Sequence, residues 1–438
     1  MRKILLVLPL ALILLGLGTI SLGGADRAIT LTIYGNDLAL VTELVTLRLE
    51  LEQTRVSLTG LPNRLITDSV SLEVLSGELQ VLEQQFLYEP LSQATLLRKF
   101  LGREIEVREG VNIYRGTLLG LDGAVIIQER TGEVQIVKDP TGFTLPGLPE
   151  LTSEPTLSWL VATDLVGPQP ARLDYLTTGL SWEATYLGIL NEEELDLKSR
   201  VSVSNSSGLS YRDVTLRLVA GQPHRVGTVR GLGYAKETAM AAAAPQFAEA
   251  AAFEYHLYTL DRPATIEDGT TKELSFISAP HVQIARHYIY EGQYRDGVWT
   301  EVEFSNSKAN GLGQPLPAGT IRFYQDGLFV GEGTIPHTPV DEEVTLTVGR
   351  AFDLIGERTL VDQRRIAERK YRDTVLVTLK NHKEQDVTVK VIEHPQGDWT
   401  ILQASPEYKK VDAETIEFEL PVQAGGEAQV SYTVEYQY

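Results

Sequence analysis

Hydrophobic and polar residues alternate along most of this chain, and a period of two commits a backbone to extended strands that bury one face. Ile29, Leu31 and Ile33 alternate with Thr30, Thr32 and Tyr34. Val45, Leu47, Leu49 and Leu51 alternate with Thr46, Arg48, Glu50 and Glu52. Leu72 with Val74, and Leu79 with Val81, continue a pattern that belongs to antiparallel sheets wetted on one side. The expected fold class is therefore mainly all-β, as several β-sandwich or immunoglobulin-like units. Cysteine is absent from all 438 residues, so disulfides cannot hold such sheets together. Apolar burial must do so, and a chain with 43% hydrophobic and 22% charged residues can supply it.

The first stretch stands apart. Arg2 and Lys3 precede an apolar run over 4–20, and Ser21, Leu22, Gly23, Gly24 and Ala25 follow it. A basic start, an apolar centre and small residues at the end make 1–25 a signal peptide, cut after Ala25 or, as second choice, Gly24. The alternative is an uncleaved anchor, since the run nearly reaches the roughly 20 residues of a membrane span. No later run is long enough to span, so no membrane insertion is expected after signal removal. No lipoprotein is expected either, because the cleavage region lacks cysteine. The expected location is the periplasm, the cell envelope or the exterior. A formal net charge of -20 argues against nucleic acid as a partner, because phosphates call for a concentrated basic surface.

The mature chain divides on its turn signals. Residues 26–90 read as an N-terminal β-sandwich. A short helix near 92–101 follows, capped by Ser92, apolar at Leu96, Leu97 and Phe100, and ended by Gly102. Short strands and tight turns through 91–150 suggest a small closed barrel of SH3-like or Sm-like pattern. Prolines from Pro140 onward lead into a linker at 151–170. A central β domain at 171–372 contains an alanine-rich stretch, 235–252, expected to be a long loop. An immunoglobulin-like unit, 373–438, closes the chain.

One pattern occurs three times in the second half. Val201, Val203 and Asn205 precede a strand at 214–219. Val302, Phe304 and Asn306 precede one at 321–324, and Val377, Leu379 and Asn381 one at 387–391. Each reads as a strand with two inward residues, closed by an Asn that tolerates turn geometry, then a returning strand. Arg358, Arg364, Arg365, Arg369, Lys370 and Arg372, interleaved with Glu357, Asp362 and Glu368, read as a solvated face or a long twisted ribbon. Asp326 and Gly327 predict a tight hairpin, and the alternation of 430–438 predicts a last strand that closes its own sheet.

Three stretches carry a resemblance. The first is Tyr175, Gly179, Leu180, Trp182 and Tyr186, with Asn205 and Gly208 downstream. The second runs from Asn310 through Gly313, Pro317 and Gly319 to His337, Thr338, Pro339, Gly349, Ala351, Phe352 and Asp353. The third is Asn381, His382 and Lys383, followed by Gly397, Asp398 and Trp399. From about residue 170 onward the chain resembles a bacterial domain-of-unknown-function family, number 4139, whose named members include mucoidy inhibitor proteins. The coiled-coil segment of those inhibitors is missing here. The resemblance implies an exported, β-rich protein and supplies no catalytic residues. Structurally, Trp182 and Tyr186 lie four apart and share a strand face, and Trp399 reads as a further core anchor.

Chemical motifs are few. The seven His are scattered without metal-ligand spacing, and His281 and His287 lie too far apart along a strand to chelate one ion. No calcium loop, nucleophile elbow or phosphate-binding glycine loop is present, so neither metal nor cofactor is expected. The residues named as catalytic candidates are His337, Asp353 and Glu357, a base and two acids within one motif-dense region. Turn and core roles suit them better. The expected function is that of a non-catalytic scaffold or binding protein for an envelope protein or a surface polysaccharide. An exported hydrolase acting on glycans or peptides is the alternative.

Overall fold

A computed structural model of the chain describes residues 20–22, 27–35, 37–221, 223, 247–252 and 255–438. The expected cleavage site at Ala25 and most of the apolar run before it lie outside these residues. Ile20–Leu22 is described as a short parallel strand beside Val56 to Leu58. The chain is mainly β, as its alternation predicts, with one α-helix among the described residues, Gln93–Lys99.

That helix matches its sequence signals closely. Ser92 adopts extended geometry and its hydroxyl accepts the Thr95 N–H at 3.1 Å, satisfying a donor that the first turn leaves over. Leu97 and Phe100 are buried, and Gly102 takes a φ of 77° to turn the chain away. They pack on a five-stranded antiparallel sheet whose two edge strands, Val134–Val137 and Gly142–Thr144, do not pair with each other. The expected barrel is therefore not closed. The helix covers the apolar face instead, over Ile105, Val107, Leu118 and Ile127.

The sandwich expected over 26–90 is dissolved into larger sheets. Leu38–Leu49 pairs with Gly167–Thr177, setting Val41 opposite Tyr175. Ala28–Tyr34 runs parallel to Tyr211–Ala220, setting Leu31 opposite Leu216. The expected linker at 151–170 holds the strand Thr156–Thr163, paired on both sides by Glu52–Leu58 and Gln80–Leu87. Trp159 on it is only 1% exposed, and its ring nitrogen donates to Gln84 at 2.8 Å. The prolines suggested a linker, but a buried Trp with apolar neighbours outweighs them. Of the alanine-rich stretch, 235–246 lies outside the described residues. Phe247–Ala252 is a strand antiparallel to Tyr255–Leu260, because an open sheet edge supplies backbone partners that a loop lacks.

Leu180–Leu190 is central to a further sheet, between Glu194–Asn205 and Gly319–Gln325. Trp182 and Tyr186 are buried on one face there, as their spacing requires. Trp182 donates to the Val219 carbonyl at 3.2 Å and Tyr186 to that of Pro317 at 2.7 Å. Asp326 and Gly327, at φ 51° and 77°, join Gly319–Gln325 to Leu328–Ile335 in the expected tight hairpin.

Tyr290, Val298, Ala351, Leu354 and the strands from Lys370 onward build a separate sandwich core, so the last unit begins well before residue 373, while Gly319–Gln325 and Leu328–Ile335 stay with the first core. One layer holds Val298–Ser305, Ala285–Tyr290, Val387–Glu393 and Ile416–Val422. The other orders Leu354–Ala367, Lys370–Asn381, Glu427–Gln437 and Asp398–Ser405. The basic run is a ribbon, as expected, and the final strand sits inside its own sheet. Trp399 lies at the rim of this core rather than within it, half-buried, with the Lys410 ammonium 4.3 Å from its ring centre.

The three repeated asparagines are not turn residues. None has a positive φ, and Asn205, Asn306 and Asn381 are 2%, 0% and 1% exposed. Each amide binds carbonyls on two segments: Leu209 and Ile266 for Asn205, Gln314 and Pro339 for Asn306, Gln385 and Val422 for Asn381. Each side-chain oxygen accepts a backbone N–H further along, from Ser207, Gly313 and Lys383 respectively. Asn has both donors and an acceptor on one short stem, so it can satisfy a buried strand end that would otherwise lose its water.

Candidate functional site

Leu328–Ile335 and Glu343–Arg350 belong to different sheets and meet side by side. A Cβ on Gly331 would fall 1.7 Å from the Val348 carbonyl oxygen, so only glycine permits the approach. Past this contact the chain turns through Arg350, Ala351, Phe352 and Asp353, anchored by the Ala351 N–H on the Val298 carbonyl at 2.8 Å. The turn after Lys370–Asn381 arrives from the other layer. Its His382 N–H donates to the Asp353 carbonyl at 2.8 Å, and Asn381 holds the Lys383 N–H at 2.9 Å. Two motif stretches distant in sequence are thereby stitched together.

Between them lies an open concavity of about 260 Å³, with Leu190, Thr300, Gln325 and Val330 in its walls. Its charged lining is Arg286, Arg350 and Lys383, without a carboxylate. Arg286 donates to the Asn191 carbonyl at 2.9 Å, and its Nε is buried with no hydrogen-bond partner among the described residues. The Lys383 ammonium sits 5.3 Å from the ring centre of Tyr288, a cation–π contact that leaves its donors free to turn toward the cleft. Arg350 reaches Asp296 at 3.2 Å, but the aspartate is 86% exposed, so water screens the pair. Phe352 stands on the rim, 92% exposed. Such an arrangement attracts and orients an anion. It offers no general base and no paired acids.

The sequence candidates are spread around this contact. Asp353 is exposed in the turn after Phe352 and does not line the concavity, and Glu357 is exposed on Leu354–Ala367. His337 follows Ile335, at the end of its strand away from the Gly331 contact. Its ring neighbour is His256, with ring centres 5.2 Å apart. The His337 pKa is lowered, first by desolvation and second by the His256 charge. His281 pairs with Glu194 at 2.7 Å, and His287 faces Glu303 at 3.9 Å, so these two histidines serve different strands. Among the described residues no group of three or more His, Asp or Glu could hold a metal ion, and no helix is long and apolar enough to cross a membrane.

Sequence reading missed one acid–base pair. His394 Nε2 lies 2.7 Å from Glu291, which also holds Arg295 at 3.3 Å. The Thr415 hydroxyl is 3.5 Å from Nδ1, at the outer limit of a hydrogen bond. The backbone of His394 is clamped by Gln293, which donates to its carbonyl at 3.2 Å and accepts its N–H at 2.5 Å. This network ties two loops together. The residues lie about a hundred positions apart and share no motif, so nothing in the sequence pairs them.

A family model described as a domain of unknown function, DUF4139, matches residues 171–438. The match spans the stretch that holds all three asparagine clamps and every residue of the cleft. No curated protein matches the chain.

Proposed function

The chain belongs to the DUF4139 family, and from that premise and the cleft we propose an exported, non-catalytic binding or scaffold protein of the cell envelope. Its partner is an envelope protein or a surface polysaccharide, held where Arg286, Arg350 and Lys383 converge beside Tyr288 and Phe352. The observation that carries this reading is the charge of that lining. A chain with 59 acidic and 39 basic residues gathers three cations and no acid in the lining of this concavity. Arg286 and Lys383 are partly buried, and cations so placed gain from an anion that visits them. Export is supported by the basic, apolar and small-residue order of the first 25 residues.

Fractionation tests the address, and retention on washed envelopes tests the role. The chain should partition outside the cytoplasm, and an Arg350→Ala/Lys383→Ala double variant should wash off. A cytoplasmic chain, or equal retention of both proteins, would sink the proposal.

One observation favours the rival hydrolase, namely the His394 and Glu291 pair. Turnover of a glycan or peptide panel that vanishes in His394→Gln, with unfolding unchanged, would establish it.

A further inference from the structure

We propose that the cleft seats an extended acidic segment of a partner protein, its carboxylates on Arg286, Arg350 and Lys383 and a bulky apolar side chain against Phe352. This names the partner class for the binding role above and rests on it.

Charge selects the first half of that chemistry. Arg286 and Lys383 form no ion pair with any carboxylate among the described residues, and the buried Nε of Arg286 lacks a partner. A carboxylate presents two oxygens in the plane that a guanidinium fork addresses, and it can displace the screened Asp296 from Arg350.

The rim selects the second half. Val330 in the cleft wall is 38% exposed, and Phe352 is 92% exposed. The aliphatic side chain of Val330 offers the hydroxyls of a sugar no hydrogen-bonding group, whereas leucine or phenylalanine of a peptide would cover it together with Phe352. Size favours an extended backbone. A helix is roughly 10–12 Å across and does not enter so small a concavity.

The probe is a fluorescein-labelled peptide alternating Glu and Leu, followed by anisotropy with the full chain. Companion peptides carry Gln for Glu or Ser for Leu, and a polyuronate competes as the glycan control. The Glu/Leu peptide should bind and weaken with salt. Each companion, and each of Lys383→Ala and Phe352→Ala, should bind about tenfold more weakly, with thermal unfolding unchanged because both positions project from turns. No binding of the Glu/Leu peptide, or equal binding of the Ser-for-Leu peptide, overturns the inference. So does a polyuronate that binds more tightly and is indifferent to Phe352→Ala, which would assign the cleft to a glycan. The wider binding role fails separately, through the envelope-retention assay.

Discussion

Tyr175 donates its hydroxyl to Glu43 across 2.6 Å, and both side chains are fully buried. Arg27 completes the group, with Nη1 3.4 Å from the carboxylate and Nη2 on the Thr59 carbonyl at 2.7 Å. The same three residue types recur in the C-terminal sandwich, where Tyr432 and Arg358 both bind the buried Glu393. The wiring differs. Glu43 and Tyr175 sit on adjacent strands of one sheet, whereas Glu393 lies in one layer and Tyr432 and Arg358 in the other. The second group therefore bolts two layers together, and each group satisfies a carboxylate that burial would otherwise penalise.

Burial dominates at Glu43 and raises its pKa above 4.5, with the Tyr175 hydrogen bond and then Arg27 opposing. The sign follows. A folded acid with a raised pKa binds protons that the unfolded chain has released, so stability falls as pH rises from 4.5 toward the folded value and is level above it. Glu43→Gln keeps an acceptor for Tyr175 and abolishes this loss. Scanning calorimetry across pH 4 to 8 should show the Tm of Glu43→Gln gaining on the native chain as pH rises through that window. A constant difference would show that Glu43 titrates as it does in water.

Removing Glu393 should be far worse than neutralising it. Glu393→Ala strands Arg358, only 22% exposed, and leaves the Tyr432 hydroxyl without its acceptor. Breaking a buried pair on one side costs about 3–5 kcal/mol. Glu393→Gln retains an acceptor for both donors and should lose less than half of that. Urea unfolding followed at the sandwich aromatics measures both. Equal losses would mean that shape, not the carboxylate, holds the layers.

The alternation of Ile29 to Ile33 and Val45 to Leu51 made the strands legible, and Ser92 with Gly102 made the helix legible almost to the residue. Those signals are local, because period, cap and turn geometry act within a few positions. What escaped was pairing. Tyr175 could be read as an inward strand residue, but its partner Glu43 is 132 positions away, and nothing in an alternating strand names its neighbour. The linker at 151–170 failed for the same reason, since Pro155 and Pro168 flank a strand whose partners lie earlier in the chain. At the cleft the motif residues Gly349, Phe352 and Lys383 were singled out, while Arg286 and Arg350 were not. Their significance depends on a meeting of sheets that composition does not encode. Arg358 counted as one of a solvated basic run, yet it neutralises a buried acid.

Asn381 joins stability to the site. Its amide holds carbonyls of Gln385, Val422 and Gln423, and its oxygen holds the N–H of Lys383. Asn381→Ala leaves buried groups unpaired and should cost about 2–4 kcal/mol. It should also weaken Lys383-dependent binding beyond what global stability explains, measured well below the unfolding transition. Asn205→Ala breaks the same kind of clamp far from the cleft, so it should lower stability and spare binding. If both variants bind alike, the clamp does not position Lys383.

His337 and His256 supply the last test, because their ring contact makes an acid-sensitive pair. The lowered pKa of His337 means that the unfolded chain takes up a proton near pH 6.5 before the folded one does. Stability contributed here is present above 6.5 and is lost as pH falls through the depressed folded value. Imidazole resonances should place the His337 midpoint below 6.5, and His256→Gln should move it part of the way back. The return is partial because desolvation, the larger cause, remains when the neighbouring charge is gone. A midpoint unmoved by His256→Gln would assign the whole depression to burial, and a midpoint at or above 6.5 would show that the two rings do not share this site in solution.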